Sequence, residues 1–205
     1  MMNLLRSAPL RACLAACTLM AAGAGPSLAQ ETEAPDISQY RNGDAAMRLG
    51  HPNAAFRIFE RDCEAGGGQE CYRLGDLHRR GIGTGQDFDA AETSYQRACD
   101  LGISDSCMQL ANMLFEGTTL DQDYERAREL YTEACDNHQD AACGVLGNMM
   151  YVGLGGPKER NRGAELMRRS CLAEVEYSCD QVRRYGLSND GSRSGVLNRE
   201  YWRGN

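Results

Sequence analysis

Lysine and histidine are scarce in this sequence, and their scarcity excludes two kinds of enzyme. Lys158 is the only lysine among 22 basic residues, and it belongs to neither a Ser-x-x-Lys nor a Lys-Thr-Gly element. A serine β-lactamase needs both elements, so the sequence does not encode one of that kind. The three histidines, His51, His78 and His138, stand in separate segments and in no ligand motif, which excludes a histidine-rich metal centre.

The sequence also lacks an apolar run long enough to predict a transmembrane helix. A shorter apolar segment follows the basic start of the chain and ends before small residues at Ser27 and Ala29. This pattern predicts a secretory signal peptide over residues 1–29, cut after Ala29, with no transmembrane anchor left after processing. The alternative is a lipid on Cys17, although Arg11 leaves few apolar residues before that cysteine. We therefore expect the mature chain to be periplasmic or secreted.

Basic residues are too few to suit a nucleic-acid partner. Cleavage after Ala29 removes Arg6 and Arg11 and no acidic residue, so the 22 basic residues become 20 against 29 acidic ones, a net charge of −9. A protein that binds nucleic acid presents a basic face, which this composition does not provide.

Cysteine, in contrast, is plentiful and regularly spaced. Of ten cysteines, eight remain after processing, and they form four pairs that recur every 36 residues, the first being CEAGGGQEC. Zinc ligands usually stand two to four residues apart, and redox enzymes use Cys-x-x-Cys, which the mature chain lacks. In an exported chain the pattern therefore predicts four local disulfides. These are Cys63–Cys71, Cys99–Cys107, Cys135–Cys143 and Cys171–Cys179.

The rest of each 36-residue unit keeps the same phase as the cysteines. In the first three copies a leucine stands three positions after the second cysteine, a small residue comes next, and apolar residues follow at helical spacing, whereas the fourth copy has Val182 at the leucine position. A glycine turn then precedes a second helix, with Asp87 and Asp123 as N-caps and with alanine and tyrosine on its inner face. We predict an all-α fold, an α-solenoid of disulfide-stapled antiparallel helix pairs, in which each disulfide joins one unit to the next.

The two ends of the chain depart from the repeat. Residues 30–42 are predicted to be a flexible lead-in, residues 43–186 the repeat array, and residues 187–205 a C-terminal cap or tail. In the last unit Arg183 replaces a small residue that would be buried, which is typical of the exposed end of a repeat array.

These features together resemble the Sel1-like repeat, a relative of the tetratricopeptide repeat. They are the 36-residue period, Leu-Gly in the first helix, Gly-x-Gly in the turn, alanine and tyrosine in the second helix and cysteine at the junctions. The likeness covers about residues 53–186 and is strongest to the disulfide-stapled Helicobacter cysteine-rich protein family. It implies an exported adaptor scaffold. It also implies two alternatives, a β-lactam binder or weak β-lactamase-type hydrolase, and a respiratory-complex assembly factor.

In tetratricopeptide arrays the first helices line a concave groove that holds a peptide. Two rows of equivalent positions in this sequence match that surface, one polar and one partly aromatic: Asp76, Asn112 and Asn148, and Arg79, Phe115 and Tyr151. Asparagine amides can donate to and accept from a peptide backbone, and aromatic rings can anchor side chains. The alternative is that both rows are solvated helix faces or packing residues.

The sequence therefore predicts an exported monomeric scaffold that binds a protein or peptide partner through this groove. It predicts no cofactor, no metal and no catalytic residue. Should the protein hydrolyse a β-lactam, a carboxylate such as Asp76 would have to act as the base. His78 is expected to be a packing residue, because it stands where such repeats often carry tyrosine.

Overall fold

The computed structural model describes residues 36–187, and the predicted signal peptide, Cys17 and residues 188–205 lie outside this range. The described chain is helical throughout and has no strand, as the repeat predicts. Its helices are α1 (Gly43–Arg48), α2 (Pro52–Glu64), α3 (Gly68–Arg80), α4 (Phe88–Asp100), α5 (Ser104–Glu116), α6 (Tyr124–Asp136), α7 (Asp140–Val152), α8 (Arg160–Leu172) and α9 (Glu176–Arg184). None of these helices combines the length and the apolar character that crossing a membrane requires.

The helices form antiparallel pairs that follow the sequence period. Unit 1 consists of α3 and α4, unit 2 of α5 and α6, and unit 3 of α7 and α8, while α1 and α2 precede them and α9 follows. Each helix from α2 to α8 has 13 residues. Helices pack mainly on their neighbours along the chain, so the molecule is the predicted α-solenoid.

The predicted aspartate N-caps of α4 and α6 and the predicted glycine ends of the first helices are present. The side chains of Asp87 and Asp123 accept hydrogen bonds from the backbone N–H groups of Ala90 and Arg126, three residues into α4 and α6. The first helices end at glycines in the left-handed region, with φ of 67°, 63° and 89°. A side chain at these glycines would be strained, which explains the Gly81, Gly117 and Gly153 that recur in the turns.

Close approach between paired helices depends on the small residue in each first helix. A Cβ atom built on Gly75 would lie 2.7 Å from the ring of Tyr95, a fully buried side chain of α4. In unit 3 a Cβ atom on Gly147 would lie 2.7 Å from the carbonyl oxygen of Gly163 in α8. In unit 1 the ring of Tyr95 therefore packs directly on the backbone of α3, and in unit 3 the backbones of α7 and α8 contact each other directly.

The four predicted disulfides are confirmed. In each, the first cysteine lies in the last turn of one second helix and the other lies in the first turn of the next first helix. Their Cα–Cα distances are 4.6, 4.8, 4.7 and 4.6 Å, which is within disulfide range. A bridge that closes such a short loop stabilises the fold by about 2.5 kcal/mol in the chain-entropy treatment.

The described ends of the array are covered differently. Ile37 and Tyr40, in the predicted lead-in, pack partly buried against the hydrophobic cluster of α1 to α3. At the other end Leu187 is buried next to α9. Arg183 is exposed and forms an ion pair with Asp180 of the same helix, in agreement with an end that no further helix of the described chain covers.

Candidate functional site

The six residues predicted to line a peptide groove lie on the consecutive first helices α3, α5 and α7, two on each helix. All six are half-buried. We call the surface that they form the first-helix face: Asp76, Arg79, Asn112, Phe115, Asn148 and Tyr151.

In unit 1 the pair on this face is held by a tyrosine of the second helix. The hydroxyl of Tyr95 donates a hydrogen bond of 2.7 Å to Oδ1 of Asp76 and accepts one of 3.1 Å from Nε of Arg79. Arg79 also pairs with the same carboxylate oxygen of Asp76 at 3.1 Å. Burial and the hydrogen bond to Asp76 raise the pKa of Tyr95, so its hydroxyl stays protonated at neutral pH.

In unit 2 the equivalent tyrosine makes a similar contact. The Tyr131 hydroxyl donates to Oδ1 of Asn112 at 2.5 Å, and burial raises the pKa of this tyrosine as well. Phe115 packs edge-on against Tyr131 and Tyr124, with ring centroids 6.3 and 5.3 Å apart. Nδ2 of Asn112 has no hydrogen-bond partner among residues 36–187.

Unit 3 lacks the second-helix tyrosine, and the tyrosine that contacts its first-helix face comes from further along the chain. Met167 stands at that position and is fully buried. Tyr185, just beyond α9, donates instead to Oδ1 of Asn148 at 2.8 Å and stacks on Tyr151 with centroids 4.5 Å apart. Nδ2 of Asn148 donates to the hydroxyl of Tyr177 at 2.9 Å.

Each pair on the first-helix face is thus drawn together by one tyrosine: Tyr95, Tyr131 or Tyr185. The polar atoms of units 1 and 3 are largely committed to these internal contacts, which is how packing residues behave. Unit 2 differs, since the amide of Asn112 is fixed through its oxygen while its N–H groups point to no described partner. The contacts of Tyr177 and Tyr185 were not predicted from the sequence. The methionine at position 167, where the repeat has tyrosine, indicates that unit 3 needs a different partner.

Other residues considered for chemistry have structural surroundings. Cys99, Cys107 and Glu133 lie close enough to hold a metal ion, but both sulfur atoms belong to a disulfide and offer no thiolate. His78 is half-buried against Phe56, edge to face at 5.1 Å, and burial lowers its pKa. Its contact with Phe56 agrees with the expected packing role, and its buried Nδ1 atom has no hydrogen-bond partner within residues 36–187.

A cleft of about 660 Å³ lies beside the turn between α5 and α6. Its walls include Asp89 and Glu92 of α4 and the turn residues 117–123. Arg126 also lines the cleft and forms an ion pair with Glu92. Asp123 serves as the N-cap of α6, as described above, so Glu92 and Asp123 are engaged in an ion pair and a helix cap.

Similarity to known proteins agrees with this architecture. The family model described as "Sel1 repeat" matches residues 71–103, 104–138 and 141–174. Among curated protein sequences none matches the chain significantly.

Solved structures with the same fold include a Sel1 repeat protein from Oxalobacter formigenes, with 19% identity, a TM-score of 0.64 and coverage of 78% of this chain and 70% of that one. A protective antigen present in uropathogenic Escherichia coli strains, displaying an SLR fold, shows 19% identity and a TM-score of 0.64 over 74% of this chain and 35% of its own length. Cysteine rich protein B of Helicobacter pylori shows 19% identity and a TM-score of 0.47, with coverage of 68% of this chain and 93% of that one. The three matched repeats, in register with the helix pairs and their disulfides, identify the chain as a Sel1-repeat protein.

Proposed function

We propose that this chain is an exported scaffold that binds a protein or peptide partner along its first-helix face. Sel1 repeats generally mediate protein interactions, and an array of helix pairs presents successive first helices as one extended surface. Four disulfides support a place outside the cytoplasm, because such bonds persist in oxidising compartments. The signal peptide over residues 1–29 and the Cys17 alternative belong to this proposal.

The amide of Asn112 is the observation that carries the binding proposal. Its oxygen is held by the protonated Tyr131 hydroxyl, so the amide is oriented before any partner arrives. Its N–H groups have no partner among residues 36–187 and can donate to a backbone carbonyl of an extended peptide, and the Phe115 ring lies one helical turn away. A donor fixed in this way costs little conformational entropy on binding.

A β-lactam-directed activity has no comparable support. The carboxylate of Asp76, the candidate base, already accepts from Tyr95 and pairs with Arg79. A respiratory assembly role likewise rests on no contact of the described residues. Both stay alternatives that the resemblance suggests.

The experiment first identifies the partner and then tests the face. A photo-crosslinking amino acid at Glu116, exposed at the end of α5, captures proteins in cells that express the chain. The partner is then purified and titrated against the oxidised protein. Asn112→Asp keeps an acceptor for Tyr131 but replaces the N–H donor by a second acceptor. The expected result is a dissociation constant raised about fivefold, since one hydrogen bond contributes about 1 kcal/mol.

A matched control separates this effect from charge. Asn137→Asp makes the same substitution at the exposed C-cap of α6, away from the face, and should leave affinity unchanged. Equal affinity of Asn112→Asp and the unsubstituted protein for the captured partner would show that the first-helix face is a packing surface only.

A further inference from the structure

One position of the second helix stands next to the disulfide of the preceding unit, and its charge changes along the array. The residues at this position, 36 apart, are Arg97, Glu133 and Arg169. Arg97 donates to the backbone oxygen of Glu64, beside the first bridge, at 3.1 Å. Repeats of one architecture therefore place different charges next to equivalent bridges.

The two internal bridges show this contrast most clearly. The carboxylate of Glu133 lies within 4.8 Å of both sulfur atoms of Cys99–Cys107. At the next bridge, Nη2 of Arg169 lies 2.9 Å from Sγ of Cys143 and 3.4 Å from Sγ of Cys135. A negative group faces one bridge and a positive group faces the other.

The burial and the helix positions of these two bridges are closely matched. Cys99 and Cys107 are 1% and 0% exposed, and Cys135 and Cys143 are 4% and 0% exposed. In both, the first cysteine lies in the last turn of a 13-residue helix and the second lies in the first turn of the next. Differences in their chemistry are therefore expected to follow the facing charge.

A facing cation favours cleavage of a disulfide by a thiolate. When a thiolate attacks one sulfur atom, the S–S bond breaks and the other sulfur leaves with the electron pair as a thiolate. A nearby guanidinium stabilises that thiolate and lowers the pKa of the corresponding thiol, whereas a carboxylate opposes it. Cys135 is the more exposed residue of the pair, and Sγ of Cys143 is the sulfur atom nearer to Arg169, so attack at Cys135 and departure of Cys143 fit the geometry.

We propose that Cys135–Cys143 is a thiol–disulfide exchange site, in which Arg169 stabilises the departing Cys143 thiolate, and that it reacts with dithiols before Cys99–Cys107 does. The first thiolate of the dithiol forms a mixed disulfide with Cys135 and releases Cys143. The second thiolate of the dithiol then attacks the dithiol's first sulfur, which is bonded to Cys135 in the mixed disulfide, and Cys135 leaves as a thiolate. The products are two reduced cysteines and the cyclic disulfide of the reductant, so two electrons pass to the protein. Arg169 is a positioning residue that is exposed on α8 and covers the bridge.

The test measures the reduction rate of every bridge in one sample. The oxidised full-length mature protein is treated with dithiothreitol at pH 8, portions are quenched with acid, free thiols are alkylated, and peptides are quantified by mass spectrometry. We expect Cys135–Cys143 to be reduced about tenfold faster than Cys99–Cys107. Equal rates, or faster reduction of Cys99–Cys107, would overturn the proposal.

Three matched variants locate the cause. Arg169→Gln should slow the reduction of Cys135–Cys143, and Glu133→Gln should speed the reduction of Cys99–Cys107. With a neutral glutamine facing each bridge, the two bridges should then be reduced at about the same rate. Arg160→Gln removes an exposed charge from the same helix and should change neither rate. A general loosening of the fold would accelerate all bridges together, so it is recognised in the same data. An unchanged or increased rate at Cys135–Cys143 in Arg169→Gln refutes the assigned role of Arg169.

Discussion

Gly147 tests the close packing of unit 3 because two physical effects of its replacement by alanine oppose each other. Gly147 lies inside α7, where alanine normally stabilises a helix by about 0.5–1 kcal/mol relative to glycine. The new Cβ atom, however, would lie 2.7 Å from the carbonyl oxygen of Gly163 and 2.9 Å from the backbone nitrogen of Met167. Backbone atoms cannot rotate away, so α8 must move by about 0.7 Å to restore the ordinary 3.4 Å separation.

The clash is expected to outweigh the gain in helix propensity. Overpacking of a tight interior costs about 1–3 kcal/mol, and a collision with backbone belongs at the upper end of that range. The net loss for Gly147→Ala is therefore about 2 kcal/mol. In a protein of this size each kcal/mol shifts the melting temperature by about 2–4 °C, so a decrease of about 4–8 °C is expected.

The measurement is thermal unfolding of the oxidised protein, followed by circular dichroism at 222 nm. Gly85→Ala is the matched control, because a Cβ atom there meets nothing within 4 Å, and its melting temperature should stay close to that of the unsubstituted protein. A Gly147→Ala protein that melts at or above the temperature of the unsubstituted protein would refute the close contact of α7 with α8.

Two further predictions concern buried ionisable groups. Burial lowers the pKa of His78 below its usual 6.5, so as the pH falls the unfolded chain binds the proton first and the free energy of unfolding decreases below about pH 6.5. Urea unfolding at pH 7.5 and pH 5 measures this loss, and the free energy of unfolding should decrease less between the two pH values in His78→Gln than in the unsubstituted protein. An equal decrease in both proteins would show that His78 is not its origin. Arg128 is 8% exposed and its guanidinium donates to the carbonyl of Pro157 at 3.0 Å and to Glu159 at 2.6 Å. Pro157 is exposed and Glu159 is only half-buried, so water can reach both groups once the guanidinium is removed. Arg128→Leu should therefore lower the free energy of unfolding by about 1.5 kcal/mol, whereas a urea midpoint within error of the unsubstituted protein would count against this contact.

The period of the sequence predicts the helices and their disulfides well, because these depend on local features that recur. The cap at Asp87 needs only an acceptor three residues before a backbone N–H, and the bridge from Cys63 to Cys71 needs only a chain reversal between two helices. Both conditions are met within nine residues of sequence. The same bridge then forms at equivalent positions along the array, and the same cap forms at α4 and α6.

The first-helix face could be located from the sequence, but its contacts could not. The hydroxyl of Tyr95 reaches Asp76 across 19 positions of the chain, and Tyr185 reaches Asn148 across 37. Such contacts depend on side-chain rotamers and on how far neighbouring helices are apart, and neither is encoded in a repeat pattern. The irregular unit 3, with Met167 in place of tyrosine, shows that a single substitution redirects the contacts of a whole unit.

The placement of the disulfides also decides where a protease can sever the chain. The loops between units, such as residues 65–67, lie inside a covalent ring, so a single peptide-bond cut there leaves both fragments joined. The turns within units, such as residues 81–87, lie between successive rings, and a cut there leaves only non-covalent contacts to hold the fragments together. On a non-reducing gel the first kind of nick is silent and the second separates the protein. Survival of the protein in one piece under proteolysis therefore depends on the turns within units, which begin at a left-handed glycine and, in units 1 and 2, end at an aspartate cap.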